Sequence, residues 1–76
     1  MPRWITYPQL AWASRHLNPA EYAAARKFFP GQLLPEGEYI DGQTGETIVI
    51  WQSGQTVPDG TVYISWDSLR DLGVLA

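Results

Sequence analysis

The sequence predicts an α+β domain in the order ααβββα: an N-terminal helical hairpin packed on a small three-stranded antiparallel sheet, with a short helix at the end. Three observations lead there. Apolar residues between Tyr7 and Phe29 recur at helical spacing. From Glu38 onward the period changes to short extended runs rich in Ile, Val, Tyr, Trp and Thr, separated by turns that contain glycine. A chain of 76 residues buries only about 60% of the surface its unfolded form exposes, so residues 1–76 are expected to form one small domain with no second core.

The helical hairpin spans residues 7–29. At about 100° per residue, Ala13, Ser14 and Leu17 fall within about 60° of Leu10, the width of a stripe that faces a core. Pro8 suits a first turn, where its missing N–H has no helical partner. Asn18-Pro19-Ala20-Glu21 is the clearest local signal in the chain. Asn18 is a helix cap, Pro19 takes the first helical position and Glu21 reaches back as the capping-box partner. The second helix then runs from Ala20 to Phe29, with Tyr22, Ala25 and Phe29 on one face, until Pro30-Gly31 stops it.

Pro30 to Gly37 reads as a loop anchored by Leu33 and Leu34. Residues 38–65 follow as an antiparallel meander with strands at Glu38–Asp41, Thr47–Gln52 and Thr61–Ser65. The middle run is apolar on both faces, which predicts a central strand covered on both sides; the third alternates Val62 and Ile64 with Thr61, Tyr63 and Ser65. Gly42-Gln43-Thr44-Gly45 closes the first hairpin, and Ser53 to Gly60, with its Pro58-Asp59-Gly60 turn, closes the second. Residues 66–72 form the last helix, with Ser65 as cap, Gly73 in the left-handed position and Val74 packing back. Trp51 and Trp66 are core candidates, and Trp4 and Tyr7 are placed to staple the first helix.

Most catalytic chemistry is excluded by inventory. There is no cysteine and one histidine, so disulfides, thiolate metal sites and two-histidine metal sites are ruled out. Ser14 and His16 face different sides of a helix, so they form no nucleophile and base pair. Asp67 and Asp71 stand one turn apart with Arg70 between them, and the helix dipole accounts for Asp67. No phosphate-cradling loop or Gly-x-Ser-x-Gly elbow occurs. The chain is expected to be no enzyme and to need no cofactor or metal. It carries no apolar run near the roughly 20 residues of a membrane span, and Met-Pro-Arg-Trp opens no signal peptide, so a soluble cytoplasmic protein is expected.

Charge is distributed unevenly. Residues 1–27 hold Arg3, Arg15, Arg26 and Lys27 against Glu21, whereas residues 28–76 hold Arg70 against seven acids. The basic helical half followed by a hairpin has the outline of a small winged or helix-turn-helix DNA-binding regulator of the excisionase kind, with Arg3, Arg15, Arg26 and Lys27 as its phosphate contacts. Against it, Arg26 and Lys27 sit in the last turn of their helix and Glu21 in the first, where base contacts usually arise.

The aromatic residues support a protein partner better. On the first helix Trp12 and His16 lie roughly 200° and 240° from Leu10, away from the core stripe, with Arg15 on the adjoining flank. Glu36, Glu38, Asp41, Glu46 and Asp59 form an acidic complement on the sheet and its turns, suited to a basic partner such as a nucleic-acid-binding protein. In size and composition the chain resembles the small phage or mobile-element proteins that bind a host protein and block it, anti-CRISPR proteins among them. That resemblance implies a stoichiometric inhibitor or adaptor that occludes a partner's surface. An uncovered sheet edge leaves a homodimer open as well.

Overall fold

Asn18 divides the first helical region in two, as its chemistry requires. In the computed structural model, which describes residues 10–74, helix α1 (Ala11–His16) and helix α2 (Pro19–Ala24) meet at this residue. The Asn18 side chain accepts the Glu21 N–H at 2.8 Å, and the Glu21 carboxylate accepts the Asn18 N–H at 3.0 Å. The capping box is complete. Pro8, Trp4 and Tyr7, to which roles at the start of the first helix were assigned, lie outside the described residues.

The second helix is shorter than expected. Ala25 turns extended at φ −73°, ψ 144°, and Lys27–Phe28 becomes strand β1. The ammonium of Lys27 explains the early stop: its Nζ donates to the carbonyls of Tyr22 at 2.6 Å and Ala25 at 2.8 Å, satisfying acceptors that a continuing helix would have used. Extension also changes which phenylalanine is buried. Phe28 enters the interior and Phe29 stays outside.

Three further strands follow, β2 (Gly37–Asp41), β3 (Thr47–Ile50) and β4 (Tyr63–Ser65), and then helix α3 (Trp66–Asp71). The class is α+β, but the antiparallel sheet has four strands in the order β1-β4-β2-β3. It is no meander. β4 pairs with β2 (Tyr39 opposite Ser65, Ile40 opposite Ile64), and β1 joins beyond it (Phe28 opposite Tyr63). The doubly covered strands are therefore β2 and β4: Tyr39 and Ile40 are both buried on opposite faces, as are Tyr63 and Ile64. β3, expected at the centre, lies at the edge, and Trp51, expected in the core, is 81% exposed.

Each face of the sheet covers its own apolar cluster, where one core was expected. On the helical face Leu10, Ala13, Leu17, Tyr22 and Ala25 pack against Ile40, Val62, Ile64 and Leu69. On the other face Phe28, Tyr39, Tyr63 and Ile50 are roofed by Leu34 and Val57, which come from two loops. Those loops are joined to each other by Gly31 N–H to Val57 O at 2.9 Å and Leu34 N–H to Gln55 O at 2.8 Å. Leu34 is thus the anchor expected of its loop, whereas Leu33 faces outward.

The β2–β3 turn ties the two layers together. Gly42 donates its N–H to Val62 O at 2.8 Å, while its carbonyl accepts the Ala13 N–H at 2.9 Å and the Gln43 carbonyl accepts the Trp12 N–H at 3.2 Å. The turn thus satisfies N–H groups at the start of α1, which has no side-chain cap. A Cβ on Gly42 would stand 2.9 Å from Val62 O and 3.2 Å from a Leu10 methyl. At the other end of the chain, Gly73 N–H to Arg70 O and Val74 N–H to Leu69 O, both 3.0 Å, close α3 in a Schellman motif. Ser65 occupies the cap position of α3 but its side chain makes no cap bond there.

Gly42→Ala is expected to lower stability by about 1 to 3 kcal/mol, because backbone rather than a movable side chain meets the new methyl; chemical denaturation measures it. Burial raises the phenol pKa of Tyr39 and of Tyr63 above 10.0, and the nearby Asp41 and Glu46 raise Tyr63 further. The folded state therefore holds these protons more tightly than the unfolded state. Their contribution is fully present below pH 10.0 and is lost as pH rises through the folded values. Phenolate absorbance should report Tyr39 and Tyr63 titrating late, and Tyr63→Phe should remove the contribution of that residue.

Candidate functional site

Trp12 is half-buried rather than free. Its indole packs over Gly45, where a Cβ would overlap the ring, and stacks on His16 with centroids 4.6 Å apart. Gly45 has φ 78°, so glycine serves the turn and the ring at once. The His16 Nδ1 lies 2.9 Å from the Trp12 carbonyl. A carbonyl only accepts, so Nδ1 donates in this contact. Of the expected face on α1, Arg15 and His16 are exposed and Trp12 is the ring that fastens α1 to the hairpin turn.

The acidic residues separate into three groups. Asp41 is half-buried and turned inward: its Oδ1 accepts the Thr61 hydroxyl and, at 2.8 Å, the Gln43 N–H. It organises the turn. Asp59 is exposed on the β3–β4 loop. Glu36, Glu38 and Glu46 are exposed around β3, and Glu36 and Glu38 flank a groove of about 420 Å³ whose floor and walls are Gly37, Val49, Ile50 and Trp51. Here sequence reasoning found the carboxylates and missed the exposed indole of Trp51 that lines the groove with them.

The groove follows from the strand order. Tyr39 pairs with Ile48 and Glu38 with Val49, so Ile48 and Ile50 face the loop-side cluster while Thr47, Val49 and Glu38 face the helical side. Elements α1 and α2 cover Ile40, Val62 and Ile64 on that face, but Val49 remains 40% exposed. The Asp41 N–H donates to Glu46 O at 2.9 Å, and antiparallel alternation then turns the main-chain groups of Ile48 and Ile50 toward β2 and those of Thr47 and Val49 outward. Among the described residues nothing pairs with that edge.

Arg3 lies outside the described residues. Lys27 is committed to helix carbonyls and rests 4.7 Å from the Tyr22 ring, and desolvation lowers its pKa. Arg26 is exposed over the Phe28 ring, but it shares a hollow of about 220 Å³ with Glu36, Glu38 and Asp67, carboxylates that repel phosphate. Helix α2, the expected recognition helix, has six residues. No group of three or more metal-ligating side chains occurs among the described residues, and none of the described helices is long and apolar enough to cross a membrane. No protein-family model, curated protein or solved structure matches the chain.

Trp12→Ala should cost about 2 kcal/mol of stability, roughly half the effect of a fully buried aromatic, whereas Trp51→Ala should leave the unfolding midpoint within about 0.5 kcal/mol of the parent. Denaturant unfolding of the two variants distinguishes a structural tryptophan from a surface one.

Proposed function

We propose that this chain is a protein-binding module that occludes a surface of its partner, with the groove at β3 as its principal contact. The carrying observation is Trp51, 81% exposed beside the 40% exposed Val49. Both line one groove with Glu36 and Glu38. Tryptophan is the residue type most enriched in the energetic centre of protein interfaces, and a large exposed indole with an apolar neighbour is unusual outside one. The acidic flanks supply electrostatic complementarity to a basic partner and speed its approach. Arg15 and His16 on α1 offer a smaller secondary surface. The role that best fits such a module is stoichiometric, as an inhibitor or adaptor in the cytoplasm, without catalysis.

The experiment is affinity capture from lysate with nuclease-treated and untreated samples compared, followed by affinity measurement on the captured protein. A partner that survives nuclease, loses about thirtyfold or more in affinity on Trp51→Ala and binds less tightly as salt rises supports the reading. Capture abolished by nuclease, or unaffected by Trp51→Ala, overturns it in favour of nucleic acid or of another surface.

A further inference from the structure

Sheet edges attract other chains, and proteins usually guard them with lysine, proline, a bulge or shortness. β1 is guarded: it has two residues, and one is Lys27. β3 is not. Thr47-Ile48-Val49-Ile50 contains neither lysine nor proline, pairs with β2 without a bulge, and turns the main-chain groups of Thr47 and Val49 away from the described sheet. Directly behind that edge, on the face the helices leave open, stand Val49 and its cross-strand neighbour Glu38, with Trp51 and Glu36 at the far end of the same groove.

Charge determines what fits. A second copy adding antiparallel to β3 would lay its own Thr47 and Val49 on that face, and neither supplies a cation to Glu38 or Glu36. A basic extended segment supplies both. Strands lie about 4.8 Å apart, so a residue opposite Val49 on an added strand stands about 10 Å from Glu38. That is the reach of a Lys or Arg stem laid across Val49 with its charged end at the carboxylate. Two residues along, the same geometry places a second cation over the Trp51 ring beside Glu36.

Resting on the reading of this chain as a protein-binding module, we infer that β3 accepts an extended basic segment of a partner protein as a fifth strand. Its Lys or Arg side chains, at every second position, lie across Val49 and Trp51 toward Glu38 and Glu36. Main-chain hydrogen bonds to Thr47 and Val49 supply affinity that is indifferent to sequence, and the groove selects the side chains.

The test is selection from a random peptide library displayed on phage against the full chain, followed by synthesis of the enriched peptides. Expected are sequences with Lys or Arg at alternate positions, and protection of the Thr47 and Val49 amides from hydrogen exchange in the complex. Affinity should fall about tenfold or more when alternate peptide amides are methylated, since two main-chain hydrogen bonds are lost. Glu38→Lys, at an exposed position, should abolish the preference for basic residues while leaving the unfolding midpoint unchanged. Enrichment without basic alternation, no enrichment, or indifference to amide methylation overturns the inference. So does protection of Thr47 and Val49 that grows with protein concentration in the absence of peptide, which would assign the edge to a second copy. A Trp51-dependent partner captured from lysate alongside a failed selection leaves the binding module standing and removes strand addition alone.

Discussion

Gly42 is the joint on which the arrangement depends. Its N–H is given to Val62, its carbonyl to Ala13, and the space a side chain would fill is taken by Val62 O and Leu10. Those contacts hold α1, the β2–β3 turn and the entry to β4 at one point. Because the turn serves as the cap that α1 lacks, the helix docks end-on to the hairpin and directs Leu10, Ala13 and Leu17 at Ile40 and Ile64. Because Gly42 N–H is committed to Val62, β4 lies beside β2, and β3 is left outermost.

That placement determines which surfaces are available to a partner. Small domains have few side chains with which to cover a sheet, and here the helices cover the β4 and β2 portion of one face while two loops joined by backbone hydrogen bonds cover the other. Among the described residues, no helix or loop covers the β3 portion of the helical face, where Val49 is exposed. Val49, Trp51, Glu36 and Glu38 are therefore a by-product of topology as much as of composition. Of the cations that suggested phosphate binding, Lys27 is held by α2's carbonyls and Arg26 shares a hollow with Glu36, Glu38 and Asp67, so these two do not build a positive face.

Local chemistry was legible. Asn18 with Glu21, the Gly42 to Gly45 loop, the Gly73 stop and the Leu10, Ala13, Leu17 stripe each depend on residues within a few positions of one another, and each forms as its residue types require. The end of α2 was not. Ala20 to Phe29 has good helical propensity throughout, yet Lys27 gains more by bonding the Tyr22 and Ala25 carbonyls and pairing as a strand with β4, a segment far away in sequence. Propensity is a weak prior when a tertiary partner competes for the same backbone groups. At the site, the exposed carboxylates Glu36 and Glu38 were legible as charges, and Trp12 was legible as lying off the core stripe, but its contact with Gly45 depends on a turn 33 residues on.

From the sequence alone came the class, the positions of most elements, the Asn18 and Glu21 capping box, the glycine turns, and the lack of thiols and of a second histidine, because all of these follow from residue types and short spacings. Strand order came only from the tertiary structure. An apolar run such as Thr47 to Gln52 reads the same whether two neighbours flank it or one, since period and composition report how a strand is pleated and not what lies beside it. The hydrogen bond from Gly42 to Val62 settled that question, and with it that Trp51 follows an edge strand of the described sheet and faces solvent, not the interior.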